Sequence, residues 1–203
     1  RGHKVVIIEK SGELGGAFIA AAAPSFKEKD RELIEWYKRQ IAKYPNIEVR
    51  LNTMVKCEHC IEKQGKFDEV VICTGSKARE INIPGKERAV ESVDVLLGKV
   101  KLGKNPIVIG GGLTGCEIAY ELALKGHEPI IVEMKDDLVS QKGVCLANSS
   151  YLREWFALHK TPVYLETGLK EVRDGSIICT DPNGKDIEIA CDSVISSAGY
   201  IPA

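Results

Sequence analysis

The chain carries almost no net charge, −1 over 203 residues. It therefore lacks the basic surplus that would draw it to nucleic acid or to an anionic membrane surface. A signal-peptide pattern is also missing, and the longest apolar runs are far too short to cross a bilayer. Neither nucleic acid nor membrane is an expected partner. No initiator methionine stands ahead of Arg1-Gly2, which is how a piece of a longer polypeptide would read. Cysteines number seven, an odd count scattered through a chain that is not small. That disfavours a secreted disulfide framework and leads us to expect reduced thiols and a cytoplasmic location. One CxxC, Cys57-Glu58-His59-Cys60, has no companion CxxC or HxxxH. Four tetrahedral ligands cannot be collected from nearby sequence, so no metal site is expected. What remains is ordinary: 44% hydrophobic and 28% charged residues, enough to bury a core in two small domains.

The most informative stretch is residues 106–133. An apolar run, Ile107-Val108-Ile109, leads into Gly110-Gly111-Gly112-Leu113-Thr114-Gly115. A helical pattern with Ile118 and Leu122 four apart follows and stops at Gly126, and a second apolar run ends on Glu133. In this strand–turn–helix–strand setting, Gly110 permits the tight turn and Gly112 lets backbone approach a pyrophosphate. Gly115 lets the helix pack on the sheet, and the free N–H groups of the helix start favour phosphate. Glu133 lies 23 residues past Gly110, near the spacing at which an acid accepts from a ribose. The pattern predicts a dinucleotide-binding site.

The chain also repeats itself. Residues 1–10 resemble residues 125–134, and residues 68–75 resemble residues 192–199, both at an offset of 124. Two matches at one offset predict two copies of a dinucleotide-binding unit. The expected fold is α/β, with tandem Rossmann-like units, each a parallel sheet with a three-stranded meander. The second copy has a strand, glycine loop and helix ahead of the matched segment; the first does not, so it is expected to be truncated. The domain boundary is placed near residue 90, giving 1–90 and 91–203. Ser25 and Glu28 have the spacing of a capping box for a helix carrying Leu33, Tyr37, Ile41 and Tyr44 on one packed stripe. Residues 47–51 alternate as a strand. Two short strands are expected around Gln64-Gly65, with residues 69–73 returning to the sheet. In the second copy, Asp174-Gly175 and Asp181-Pro182-Asn183-Gly184 punctuate the meander.

These residues resemble a known family, the two-dinucleotide-fold flavoprotein reductases related to pyridine nucleotide–disulfide oxidoreductases. The carriers are Glu9-Lys10, Leu14-Gly15-Gly16, Cys73-Thr74-Gly75, Gly110 through Glu117, and Ala198-Gly199-Tyr200-Ile201-Pro202. Leu14-Gly15-Gly16 running into Ala21-Ala22-Ala23-Pro24, with Val95-Leu96-Leu97-Gly98, is similar more narrowly to the C-terminal reductase part of 2-enoate and 2,4-dienoyl-CoA reductases, enzymes related to old yellow enzyme. The resemblance implies that NADH binds in the second unit and passes hydride to FAD in the first. Electrons would then pass through an iron–sulfur cluster to FMN in a barrel outside this chain. It implies that Gly110, Gly112, Leu113, Thr114 and Gly115 hold the NADH pyrophosphate and Glu133 its ribose. Glu117 and Gly199 would lie near the nicotinamide. On the FAD side it implies Glu9 and Lys10 at the ribose, Gly15 and Gly16 in the cleft, Val55 at the adenine, and Thr74 and Gly75 beside the flavin.

Disulfide reductases of this superfamily carry a cysteine pair just after Leu-Gly-Gly. Here that place reads Ala17-Phe18-Ile19-Ala20-Ala21, which disfavours thioredoxin- or glutathione-reductase chemistry. Only Met134 and Lys135 follow Glu133, with no Arg directly after it, so NADH is expected over NADPH. Other readings stay open: an NADH oxidase, an NADH:ferredoxin or rubredoxin reductase, or a non-enzymatic dinucleotide-binding redox sensor. The expected partner is the rest of the parent polypeptide, and an unpaired sheet edge in the first unit allows a homo-oligomer. FAD is not expected to be held firmly by this chain alone.

Overall fold

The computed structural model describes residues 2–56 and 61–203. The Cys57-Glu58-His59-Cys60 motif lies outside the described residues. Contacts divide the chain into two units, Arg1–Ala23, Lys27–Gly75 and Pro202–Ala203 in one, and Pro24–Phe26 and Ser76–Ile201 in the other.

The second unit is built on a five-stranded parallel sheet of order β4-β11-β5-β6-β7. Its strands are β4 (Ala89–Glu91), β5 (Pro106–Ile109), β6 (Ile130–Val132), β7 (Val163–Tyr164) and β11 (Ser193–Ser196). Strand β4 straddles the boundary expected near residue 90 and pairs in parallel with β11. All four residues of β5 are buried, because a parallel sheet is covered on both faces and its central strand reads as a continuous apolar run. The alternation of side chains then assigns each face. Val108, Ile131 and Ile195 pack with Ile118, Leu122, Leu152 and Phe156 of the helices Leu113–Leu124 and Leu146–Leu158. Ile107, Ile109, Val132 and Val194 face the opposite way, onto Val172, Ile177, Cys179 and Ile189. Those four belong to an antiparallel meander of β8 (Gly168–Arg173), β9 (Ser176–Thr180) and β10 (Asp186–Ala190). Its turns fall where expected, at Gly175 with φ +77° and at Asp181, whose Oδ1 accepts the N–H groups of Asn183 and Lys185.

The first unit departs from expectation. Strands β1 (Val5–Ile8) and β2 (Ile47–Arg50) form a two-stranded parallel sheet. No strand occurs among the described residues between 51 and 75, so the expected meander and the return strand at 69–73 are not formed. Val70, Val71 and Ile72 are instead 50%, 82% and 77% exposed. The second unit supplies the reason: β11 is held there by β5, which stands between it and β6. Among the described residues β1 pairs with β2 alone, and no strand stands beside it as β5 stands beside β6, so residues 69–73 have a strand's pattern and no neighbour to bond.

Two smaller corrections follow from the same thin sheet. The helix Glu28–Lys43 buries only Ile34, while Leu33, Tyr37 and Tyr44 of the expected stripe are exposed. Two strands are too narrow to cover that face. The capping box is also absent: Lys27 is the N-cap and makes no side-chain cap bond. Ser25 instead donates its N–H and Oγ–H to Glu121 Oε2, at 3.0 and 2.7 Å.

Candidate dinucleotide-binding site

The glycine turn follows from backbone geometry. Gly110 leaves β5 at φ +105°, a conformation costly for any residue with a Cβ, and its N–H donates to the Val132 carbonyl at 2.8 Å. A methyl group on Gly115 would collide with the Gly110 carbonyl oxygen, so only glycine lets the helix lie on the turn. Gly112 is the N-cap of the helix Leu113–Leu124 and makes no side-chain cap bond. The N–H groups of the first helical turn are orphan donors at that end. Leu113 packs its side chain against the core, leaving its backbone for the cradle. Thr114 and Glu117 are half-buried on the same helix start.

Glu133 sits at the end of β6 with 8% exposure. Its Oε2 accepts the Gly111 N–H at 2.6 Å and its Oε1 the Lys135 N–H at 2.8 Å. Each oxygen keeps a further lone pair for a ligand hydroxyl. Gly199 (φ +93°) lies past β11, its carbonyl accepting the Arg79 N–H at 2.9 Å. The residues just before it close over Gly110, where an added methyl would strike the Ser197 carbonyl. The structure thus gathers Gly110, Gly112, Gly115 and Glu133 around one turn.

The first unit repeats the acid and its surroundings in detail. Glu9 Oε1 accepts the Ser11 N–H at 2.7 Å, as Glu133 accepts from Lys135. That bond holds the Glu9 carboxyl below the usual carboxylate range. Thr53 N–H reaches the Glu9 carbonyl at 2.9 Å, and Thr167 N–H reaches that of Glu133 at 3.0 Å. Asn52 and Glu166, one residue earlier in each copy, share positive φ values of 53° and 49°. Lys10 is exposed, Val55 half-buried, and Gly15 and Gly16 (φ +132° and +51°) open the short helix Ala17–Ala21. Thr74 and Gly75 are exposed and bond to Ala203, through Thr74 Oγ1 at 3.3 Å and the Gly75 carbonyl at 3.1 Å.

Sequence reasoning treated Gly111 as the variable position of the motif and missed that its N–H binds the acid. It also missed Asn52, Thr53, Glu166 and Thr167, whose only signal was Leu-x-Thr standing after a strand in both copies. Cys116 is fully buried, and that burial, with the charge of Glu133 adding to it, pushes its thiol up to about 12. Among the described residues no group of His, Cys, Asp or Glu could hold a metal ion. The residues present fit a dinucleotide on the second unit and the adenosine end of one on the first. Among the described residues they do not fit an iron–sulfur cluster.

The family model described as pyridine nucleotide-disulphide oxidoreductase matches residues 1–203, and the chain belongs to that family. A cinnamate reductase of Clostridium sporogenes is 37% identical over 203 residues, 99% of this chain and 30% of that protein. An NADH oxidase of Thermoanaerobacter brockii is 36% identical over 144 residues, 68% of this chain and 22% of its own. Among solved structures, a 2-naphthoyl-CoA reductase superposes with a TM-score of 0.86 at 29% identity, covering 98% of this chain and 30% of that one. The chain thus spans about a third or less of these relatives. It is an oxidoreductase domain similar to the reductases of the enoate and dienoyl-CoA class.

Proposed function

We propose that this chain is the NADH-binding, FAD-reducing part of a flavin-dependent oxidoreductase whose remaining modules reduce an enoate or dienoyl-CoA through an iron–sulfur cluster and FMN. The cinnamate reductase and 2-naphthoyl-CoA reductase likenesses support the acceptor class. The observation that carries the reading is the bond from Gly111 to Glu133, which sets a carboxylate beside a phosphate-binding turn. When bound, NADH supplies a hydride and FAD accepts it. The chain's own residues bind and orient. The amides of Gly112, Leu113, Thr114 and Gly115 at the helix start hold the pyrophosphate, and Glu133 accepts from ribose hydroxyls with its remaining lone pairs. Glu117 and Gly199 belong to the nicotinamide end. Glu9, Lys10, Gly15, Gly16, Val55, Thr74 and Gly75 serve FAD.

The buried charge of Glu133 also selects the cofactor. A 2′-OH can donate to it, whereas a 2′-phosphate meets like charge in a site of reduced dielectric. Titration of the purified chain with NADH and NADPH, followed by nicotinamide fluorescence, tests the reading. Saturable binding with NADH the tighter is expected; equal or tighter NADPH, or no binding of either, overturns it. An alternative acceptor is oxygen or a small iron–sulfur protein, favoured by likeness to the NADH oxidase and to a probable ferredoxin reductase of Castellaniella defragrans, 31% identical over 147 residues.

A further inference from the structure

The segment after Glu133 turns back over the glycine turn and is held there at several points. Leu138 is 5% exposed and Val139 3%. Leu138 Cδ2 lies where a side chain on Gly111 would stand. Val139 donates its N–H to the Gly111 carbonyl at 2.8 Å. Arg153, on the helix Leu146–Leu158, donates from Nε and a terminal nitrogen to the Leu138 carbonyl, at 2.9 and 2.6 Å, and pairs with Asp137 at 2.8 Å. Val139 itself adopts φ +48°. A β-branched residue in the left-handed region is a true outlier, kept only where surrounding bonds over-determine it.

Those anchors deliver Gln141 to a particular place. A methyl group at Gly112 would fall 2.6 Å from Gln141 Nε2 and 3.5 Å from its Cδ. Gly112 is the glycine whose missing side chain opens the turn to a pyrophosphate. The carboxamide of an exposed residue therefore lies over the one face of the turn that a phosphate must approach. The Gln141 amide thus stands beside Gly112, the N-cap of the helix Leu113–Leu124.

We infer that Gln141 is a phosphate-contacting residue of the dinucleotide site. Its carboxamide donates to the pyrophosphate from the side opposite the helix, and Val139, Leu138 and Arg153 position it. The inference rests on the dinucleotide reading above and names a ligand group that the glycine fingerprint does not contain. A neutral donor suits this position: it adds a hydrogen bond to an anion without altering the charge against which Glu133 selects.

The test is calorimetric titration of the 203-residue chain and its variants with NADH and with ADP-ribose, which shares the pyrophosphate and lacks the nicotinamide. Gln141→Ala is expected to weaken both ligands by about the same factor, roughly tenfold, as for one hydrogen bond to a charged group. Gln141→Glu is expected to weaken them further, with a loss that shrinks as salt is added. Gln141→Lys, which keeps a donor, restores binding. Gln141 is exposed, so all three variants should melt with the wild type. Gln141→Ala binding both ligands within twofold of wild type, or more tightly, overturns the inference and leaves the dinucleotide reading standing. A wild-type chain that binds neither ligand overturns both.

Discussion

Glu133 and Gly111, 22 residues apart in the chain, are joined by a hydrogen bond of 2.6 Å from backbone N–H to carboxylate. A second oxygen of the same carboxylate takes the Lys135 N–H. Charge-assisted bonds of this kind are about twice as strong as neutral ones, so the acid and the turn hold each other in place. The residue proposed to recognise the ribose is thereby also a brace for the glycine turn.

Glu133→Gln should expose both roles. Its single carbonyl oxygen can satisfy only one of two backbone donors, and an unsatisfied buried donor costs about 1–3 kcal/mol. NADH affinity should fall roughly tenfold, while NADPH loses less because like charge is removed. A fluorescence titration showing an unchanged NADH-to-NADPH affinity ratio would refute the selection argument.

Gly115→Ala should destabilise the second unit by about 1–3 kcal/mol as the added methyl forces the helix off the Gly110 carbonyl, and NADH binding should be lost. Gly168→Ala meets nothing within 4 Å and should stay within about 0.5 kcal/mol of wild type. Urea unfolding of both variants gives the comparison; equal stabilities would contradict the packing role.

Ser25→Ala removes an O–H donor to Glu121, which is only 6% exposed. A hydrogen bond to a charged group is worth about 1.5–3 kcal/mol. Burial pushes the Glu121 carboxyl up, but bonds from Lys125 and Ser25 outweigh it and leave it below its ordinary 4.5. A depressed carboxyl stabilises fully above its unfolded value, and that stability is lost as pH falls through the folded one. The melting-temperature gap between wild type and Ser25→Ala should therefore be widest near neutrality and close in acid below 4.5. A gap that stays constant through that acid range would disprove the linkage.

Burial pushes the thiols of Cys179 and Cys191 up to about 11, and Cys116 stands near 12. In a Cys57→Ser, Cys60→Ser background, Ellman's reagent should react quickly only with exposed Cys73 and Cys145. Fast loss of a third thiol before unfolding would show that the second unit opens more readily than its packing implies.

The exposed run Val70-Val71-Ile72 and a β1 strand paired on one side only, among the described residues, should make the chain self-associate. Sedimentation at rising concentration should detect this, and Ile72→Lys should reduce it. The same gap leaves β1 without a phosphate turn among the described residues, so the chain purified with FAD should lose the flavin on gel filtration. A monomeric chain, or one retaining stoichiometric flavin, would count against the respective expectation.

Consecutive residues alone specified the second unit. The apolar run of β5, the glycines at 110 and 115 and the acid at 133 each act within a few residues of their own position or within one strand–helix–strand step. A Cβ at Gly115 would strike the Gly110 carbonyl, a contact that the motif itself creates, and φ +105° disfavours one at Gly110, so the glycine turn could be read from letters. Distant partners decided the rest. Residues 69–73 have a strand's composition, yet a strand is made by a neighbour that bonds it, and none is present among the described residues. Ser25 has the spacing of a cap but bonds an acid 96 residues away. The placing of Gln141 over Gly112 depends on Arg153 and a strained Val139, and no local pattern encodes a contact closed by a separate helix.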